Sequence, residues 1–244
     1  LMARVRAALV GAFGGKVEEL IVGGAPLNHE IEEFLARIHF PYANVYGMTE
    51  CGPFISYMST RDTRPGSCGR AVERMELRID SPHPASVPGV LWVRGVNMMD
   101  GYFKNEEATE AVMRDGWLCT GDICTLDDDG FLFVRGRDKN MILGPNGQNI
   151  YPEEIEARLN NMPYVAESIV VEKDGRLVAL VYPDLDAARV QGLGDADLLA
   201  VMRENISALN PELPNYSRIS DVRIYQEEFE KTAKRSIKRY LYKA

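Results

Sequence analysis

Apolar and polar positions follow three successive patterns along the chain. Over residues 1–65, segments with apolar residues at helical spacing alternate with short apolar runs that end in glycine turns, as in an α/β sheet. The predicted elements are a helix in LMARVRAALVGAF, a strand in VEELIVGG, a helix in NHEIEEFLARI with Asn28 as its cap, and a strand in ANVYG. Such sheets bind ligands at the carboxyl ends of their strands, where GGAP and YGMTE lie.

From residue 66 the pattern changes to short strands with period-two alternation, separated by turns rich in proline or glycine. The strands are RMELRID, GVLWVRG, WLCTGDI and FLFVRG, and one helical piece, NEEATEAVM, interrupts them. Residues 66–138 are therefore predicted to form a small antiparallel β subdomain.

After Lys139 the pattern changes a third time, to a hairpin followed by mixed helices and strands. Asn146 and Gly147 are expected to supply the positive φ angles of the hairpin turn. The chain then predicts a helix from Pro152, strands in ESIVVEK and RLVALVYP, a helix over 195–209, a strand in DVRIY and a basic tail. The predicted fold class is α/β plus α+β: the end of a large domain over 1–138, then a small C-terminal domain over 139–244, with the border between Arg137 and Asn140.

Composition and charge narrow the classes of function. The chain has 244 residues, is 45% hydrophobic and has a formal net charge of −8, which argues against nucleic acid as the main partner. Its four cysteines show no CxxC spacing and its three histidines are scattered, so a structural zinc site is not expected and a reducing compartment is. The chain has no bilayer-spanning run and no leader, which predicts a cytoplasmic protein and leaves peripheral membrane contact open.

Three short motifs contain side chains suited to nucleotide binding. The ring, glycine, hydroxyl and carboxylate of YGMTE suit a stacked base, a phosphate and a magnesium ion, although a strand end capped by Thr49 is the structural alternative. In WLCTGD, Asp122 is suited to accept hydrogen bonds from two ribose hydroxyls, although Gly-Asp is also common in β-turns. In RGRDKN, Arg137 follows a strand and offers a planar fork of donors, and a solvated charge cluster is the alternative.

These motifs, in this order, resemble the signatures of the adenylate-forming superfamily of acyl-CoA synthetases, nonribosomal peptide adenylation domains and beetle luciferases. The resemblance rests on YGMTE, on the GxLxxxGxxxxxGY pattern of residues 89–102, on TGD at 120–122 and on GRDKNMILGPNGQNIYPEEIE. It covers nearly all of the chain from Gly23 onward. The last motif, with FEKTAKRSIKRYLY at the end, is most similar to the long-chain fatty acid subgroup.

The resemblance implies a two-step reaction. Members join a carboxylic acid to ATP, giving an acyl-adenylate and pyrophosphate, and then pass the acyl group to a thiol, usually that of coenzyme A. The implied small-molecule partners are a fatty acid, ATP or AMP with Mg²⁺, and coenzyme A. The residues that match the family's nucleotide site are Gly24, Ala25 and Pro26 at the adenine, Tyr46 stacked on the base beside Gly47, Thr49 at the AMP phosphate, Glu50 at magnesium, and Asp122 and Arg137 at the ribose.

The resemblance also implies a moving C-terminal domain. Its hinge would be Lys139, for which a plain exposed lysine is the alternative, and Gly147 would let the pantetheine chain pass close to backbone. The family places a catalytic lysine just before the apolar residue that matches Ile237, where this chain has Ser236. Lys234 is therefore the first candidate and Lys238 the second, and a tail helix with a solvated basic face is the alternative.

The function predicted from the sequence is AMP-forming ligation of a fatty acid to coenzyme A. The family's phosphate loop and most of its acyl pocket lie upstream of the motifs present here, and Leu1 precedes Met2 inside a helical pattern. The chain is therefore expected to be the C-terminal part of a larger enzyme and inactive alone. The alternatives are adenylation of another acid, with transfer to a carrier protein or to none, and a non-catalytic nucleotide-binding or interaction module.

Overall fold

The computed structural model describes residues 1–62, 64–233 and 235–242. The chain forms two compact units, unit 1 over residues 1–138 and unit 2 over residues 139–244. The mixed fold class predicted from the sequence is confirmed, because both units combine helices with β-sheets.

The first sheet of unit 1 mixes parallel and antiparallel pairing. Its strands run in the order β1-β2-β3-β4; β1 is parallel to β2 and the other pairs are antiparallel. The elements are α1 (Met2–Ala12), β1 (Leu20–Val22), α2 (His29–Arg37), β2 (Tyr42–Gly47), β3 (Phe54–Met58) and β4 (Arg70–Ala71). Helix α2 starts where predicted, because the Asn28 side chain accepts hydrogen bonds from the Glu30 and Ile31 amides. Strand β4 pairs with β3, so this sheet continues beyond the predicted boundary at residue 65.

The second sheet of unit 1 is antiparallel, and its short strands alternate inward apolar and outward polar residues. Its order is β5-β6-β8-β7, with β9 paired to β8. The elements are β5 (Met75–Asp80), β6 (Gly89–Gly95), α3 (Glu106–Val112), β7 (Met113–Arg114), β8 (Trp117–Leu126) and β9 (Leu132–Arg137). Cys51 and Ile55, which follow β2, are buried in one core with Leu91, Leu118 and Leu132 of this sheet. The two sheets of unit 1 therefore share a core.

Unit 2 has its own core, between a three-stranded sheet and the helices on one of its faces. The sheet has the order β12-β13-β14; the first pair is antiparallel and the second is parallel. The core buries Leu159 and Met202 of the helices against Ala179 and Val222 of the sheet. The elements are β10 (Ile142–Leu143), β11 (Asn149–Ile150), α4 (Pro152–Leu159), β12 (Val165–Lys173), β13 (Arg176–Pro183), α5 (Leu185–Val190), α6 (Asp195–Leu209) and β14 (Ile219–Ile224).

The hairpin between β10 and β11 turns differently from the prediction. Gly147 has a φ of +79°, but Asn146 is not in the left-handed region. The Gly147 amide donates to the Gly144 carbonyl over 2.9 Å, which leaves Pro145 and Asn146 in the two central positions of the turn. Proline at the first central position and glycine at the end are typical of a type I turn, for which one positive φ after the turn is enough.

The described residues of the basic tail form no α-helix, so the alternative of a tail helix is wrong for them; a single 3₁₀ turn covers Arg239–Leu241. Lys231 and Ile237 form an antiparallel bridge, and the Lys238 amide donates to the Glu230 carbonyl over 2.8 Å. The tail takes this form because Phe229 is buried in a cluster with Ile169 and Leu180 of the sheet, against which Ile237 and Tyr242 also pack. The candidate Lys234 lies outside the described residues. Within the described part of the chain, no helix has the length and apolar character needed to cross a membrane.

Candidate nucleotide site

The carboxyl ends of β1 and β2 lie side by side, because the two strands are parallel and in register. Gly24, Ala25 and Pro26 follow β1 as an exposed turn, and Gly47 ends β2. A Cβ at Gly47 would lie 1.9 Å from the Pro53 carbonyl oxygen, so only glycine fits there. The predicted adenine turn, Gly24 to Pro26, is thus exposed to solvent at this end of the sheet, whereas Tyr46 and Gly47 are half-buried.

The carboxylate of Asp122, on β8, contacts two side chains from other strands: Tyr46 of β2 and Arg137 of β9. The Tyr46 hydroxyl donates to Asp122 Oδ2 over 2.5 Å, and Arg137 Nε lies 2.7 Å from Asp122 Oδ1. Asp122 is brought to Arg137 because β8 and β9 pair with these two residues opposite each other. The sequence predicted all three as nucleotide residues, and the structure brings them into direct contact.

Burial and hydrogen bonding fix the Asp122 carboxylate in place. The side chain of Asp122 is only 9% exposed, and its backbone amide donates to the hydroxyl of Thr120, which in turn donates to the Leu91 carbonyl. Burial, and then the charge of Asp122, raise the pKa of Tyr46, so its phenol keeps its proton and stays a donor. A fixed carboxylate of this kind accepts hydrogen bonds from paired hydroxyl groups, such as those of a ribose.

Thr49 and Glu50 form a 3₁₀ turn directly after β2, and Tyr102 contacts this turn. The Tyr102 hydroxyl donates to Glu50 Oε1 over 2.9 Å. No group of three or more potential metal ligands among His, Cys, Asp and Glu occurs in the part of the chain that the structure describes. Mg²⁺ is nevertheless bound in many nucleotide enzymes through one or two carboxylates together with substrate phosphates and water. The single carboxylate of Glu50, in the turn that follows β2, fits that requirement.

Sequence reasoning missed the contacts that hold these residues. It singled out Tyr102 only as the end of the GxLxxxGxxxxxGY pattern and gave it no role. It also missed that the Asn97 amide group donates to the Cys51 and Phe54 carbonyls, over 2.5 and 2.9 Å, and so ties this pattern to the YGMTE turn. Both motifs are visible in the sequence as family signatures. Their contact is not visible there, because it depends on the fold.

The remaining predicted site residues belong to unit 2. Lys139 begins the unit, and the next residue, Asn140, donates to Glu153 Oε1 of α4 over 2.6 Å. Gly147 lies in the exposed hairpin turn. The ammonium of Lys238 lies 3.1 Å from Glu230 Oε2 and is therefore already paired with a carboxylate. The hinge, pantetheine and catalytic-lysine roles remain predictions.

Unit 2 also contains a buried ion pair that the sequence did not suggest. Glu156 of α4, which is 7% exposed, accepts hydrogen bonds from the Val170 amide and from the Arg239 guanidinium of the tail. Burial raises the pKa of Glu156 to about 7, against the lowering effect of Arg239 and the Val170 amide. This pair connects the tail to the helix that follows the GPNG hairpin.

Comparison with known families covers both units. The profile of the AMP-binding enzyme family matches residues 3–103, and that of the AMP-binding enzyme C-terminal domain matches residues 139–243. The chain is 39% identical over 159 residues to a 2-succinylbenzoate–CoA ligase of Bacillus cytotoxicus, covering 63% of this chain and 33% of that protein. It is 33% identical over 163 residues to a long-chain-fatty-acid–CoA ligase of Mycobacterium bovis, covering 67% of this chain and 26% of that protein.

Solved structures show the same fold. The O-succinylbenzoate coenzyme A synthetase of Bacillus subtilis in complex with AMP superposes with a TM-score of 0.76 at 26% identity, covering 98% of this chain and 50% of that one. The same synthetase has also been solved in complex with ATP and magnesium ion, with a TM-score of 0.74. The chain thus spans about half of the solved relative and a third or less of these two curated relatives. Two profiles that together span both units, and a shared fold, show that this chain belongs to the AMP-binding enzyme family, the adenylate-forming superfamily that its motifs predicted.

Proposed function

We propose that the full-length protein is an AMP-forming ligase that joins a fatty acid to coenzyme A, and that this chain closes its nucleotide site and supplies its mobile domain. The observation that carries the proposal is the buried Asp122 carboxylate held between Tyr46 and Arg137. A carboxylate so fixed is prepared to bind a ribose, and the two nearby turns, after β1 and β2, are prepared to admit a base and phosphates.

In the proposed first step, a carboxylate oxygen of the acid attacks the α-phosphorus of ATP, and the bond to the leaving pyrophosphate breaks. Asp122 and Arg137 hold the ribose, and Thr49 contacts the α-phosphate. Magnesium bound at Glu50 would offset the negative charge that develops on the departing pyrophosphate. In the second step the thiol of coenzyme A attacks the acyl carbon, AMP leaves, and the thiol proton is released.

The fatty-acid specificity is supported by the long-chain-fatty-acid–CoA ligase among the relatives and by an open groove on the first sheet. The groove has a volume of about 440 Å³, within the range of roughly 300–1,000 Å³ of small-molecule sites. Its lining includes the apolar residues Ile21 and Phe54, which remain 53% and 44% exposed, and the charged residues Glu19, Arg70 and Glu73. The apolar part of this lining suits an alkyl chain.

A panel of acids tests this specificity. Pyrophosphate release by the full-length protein is expected to be at least about tenfold faster, in kcat/KM, with medium- or long-chain fatty acids than with aromatic acids such as succinylbenzoate or indoleacetate, because each buried methylene adds about 0.8 kcal/mol. Release with aromatic acids alone would assign the enzyme to another acid. Nucleotide binding without release for any acid would favour the non-catalytic module.

The tail lysines are tested in the same assay. The Lys234→Ala variant is expected to slow pyrophosphate release about tenfold, because one cation near the reacting phosphate is lost while neighbouring basic residues partly replace it. Thioester formation from supplied acyl-adenylate should stay within about twofold. Lys238→Ala should slow release less, because its ammonium is already paired with Glu230.

The Glu230→Gln variant is the matched control for the lysines. It removes the partner of Lys238 without touching either lysine, so faster adenylation in this variant would make Lys238 the catalytic residue. The tail would have no catalytic role if adenylation and thioester formation both survived the loss of each lysine.

A further inference from the structure

The GxLxxxGxxxxxGY segment has no role in the chemistry described above, yet it touches the turn that carries Glu50. The Met99 amide donates to the Glu50 carbonyl over 2.7 Å. Asn97 donates to the carbonyls of Cys51 and Phe54, on the far side of the same turn. Three hydrogen bonds to backbone carbonyls therefore hold the segment against the turn, and the Tyr102 hydroxyl adds a contact to the carboxylate of Glu50.

Tyr102 is itself held from the opposite side by helix α3. Its backbone amide donates to Thr109 Oγ1 over 2.9 Å, and this hydroxyl donates to the carbonyl of Asn105, the residue that caps α3. A Cβ at Gly101 would lie 2.9 Å from the Thr109 side chain, so the glycine before Tyr102 permits this close approach. The backbone of Tyr102 is thus held by a short helix on one side, and its hydroxyl meets Glu50 on the other.

The chemistry of this contact favours one orientation of the Glu50 carboxylate. The phenol of Tyr102 carries its proton at neutral pH and donates it to Glu50 Oε1. A donor on Oε1 directs that oxygen toward Tyr102 and fixes the plane of the carboxylate. Carboxylates that bind metal ions are commonly oriented by a hydrogen bond of this kind, and losing it weakens metal binding.

We propose that Tyr102 is a positioning residue that orients the Glu50 carboxylate for a nucleotide-bound divalent cation. This inference rests on the proposed function, in which Glu50 binds magnesium. It also explains why the GxLxxxGxxxxxGY pattern and YGMTE occur together in one chain: the first motif holds the metal ligand of the second.

The test is Tyr102→Phe in the full-length protein, which keeps the ring and removes the hydroxyl. The Mg²⁺ concentration for half-maximal pyrophosphate release is expected to rise about tenfold. Loss of a hydrogen bond to a metal ligand weakens metal binding by about 10- to 100-fold, and the lower value is expected here because Tyr102 is partly exposed. Calorimetric titration with ATP, without the acid, should show weaker binding in the presence of Mg²⁺ and binding within about twofold of wild type in its absence. The electron paramagnetic resonance signal of Mn²⁺ added with ATP gives a second measure of cation binding.

Tyr42→Phe is the matched control, because the Tyr42 hydroxyl donates to Glu32 over 3.4 Å in the same unit, at the start of β2 and away from both the Glu50 turn and the groove. Its Mg²⁺ dependence should not move. An unchanged Mg²⁺ dependence in Tyr102→Phe would overturn the inference, and so would an equal loss of ATP binding with and without the metal. If no acid supports pyrophosphate release, the proposed function fails, while the Mn²⁺ and calorimetric measurements still decide the role of Tyr102.

Discussion

Asp122→Ala is expected to lower the kcat/KM of pyrophosphate release about 100-fold in the full-length protein. A hydrogen bond to a charged group contributes about 1.5–3 kcal/mol, and each 1.36 kcal/mol of lost transition-state binding is about tenfold in rate. Asp122 is buried and held by Tyr46 and Arg137. The variant therefore loses the proposed ribose contacts together with the carboxylate that positions Tyr46 and Arg137.

Nucleotide analogues distinguish the loss of ribose contacts from a general loss of structure. Wild-type protein should prefer ATP over 2′-deoxy-ATP and 3′-deoxy-ATP, and Asp122→Ala should accept all three with similar, low efficiency. Glu76→Ala is the control, since its carboxylate pairs with Arg94 on the same sheet but is exposed and should not affect this preference. A variant that still preferred ATP as strongly as wild type would show that Asp122 does not bind the ribose.

Arg239→Met is expected to lower the free energy of unfolding of unit 2 by about 3 kcal/mol at pH 8. The substitution keeps most of the side-chain volume but leaves the carboxylate of Glu156 buried without its cation. Replacing both residues with methionine should recover most of the loss, because an apolar pair has no charge to desolvate. Arg158→Met is the control: its ion pair with Glu212 is exposed, so the expected change is below about 1 kcal/mol.

The raised pKa of Glu156 also predicts how the stability of unit 2 changes with pH. The pKa of Glu156 is about 7 in the folded protein, against 4.5 as the ordinary value. The contribution of Glu156 to stability is therefore full below pH 4.5 and is lost as the pH rises through 7. Unit 2 of the wild type should unfold more readily at pH 8 than at pH 5. Glu156→Gln should flatten this dependence, and Arg239→Met should steepen it.

Unfolding of the two units can be followed separately. Both tryptophans, Trp92 and Trp117, lie in unit 1, so their fluorescence reports that unit. Hydrogen exchange of β12 and β13 reports unit 2. Arg239→Met should accelerate exchange in these strands and leave the tryptophan transition in place. Equal stability of wild type and variant at pH 8 would mean that the ion pair does not hold the tail.

The elements that the sequence predicted well have strong local signals. Helix α2 begins at its predicted cap, and α6 and β6 have the predicted bounds, because periodicity and turn residues define them without help from distant contacts. The missed elements are short: β3, β4 and β7 depend on neighbouring strands for their hydrogen bonds, and α5 has only 6 residues, too few for a clear helical period. The sequence predicted a basic tail without a fold, because the form of the tail depends on the sheet against which Phe229 packs.

For the candidate site, the sequence predicted the residues but not the contacts between them. Residue types made Tyr46, Glu50, Asp122 and Arg137 candidates, because each offers chemistry that a nucleotide needs, and the resemblance to the family then selected them over the structural alternatives. Their hydrogen-bond partners could not be read from the chain. Tyr46 is 76 residues from Asp122 and Tyr102 is 52 from Glu50. Only the pairing and packing of strands bring these side chains together.

The tail is fastened to unit 2 in three ways: by Phe229 in the sheet cluster, by Lys231 at 2.5 Å from Glu167, and by Arg239 on Glu156. All three ties are internal to unit 2. If unit 2 is the mobile domain that we propose, the described residues of the tail would move with it, at the pace of a whole domain moving through solvent and not at the faster pace of a flexible chain end. If that motion limits turnover, the rate should fall as solvent viscosity rises.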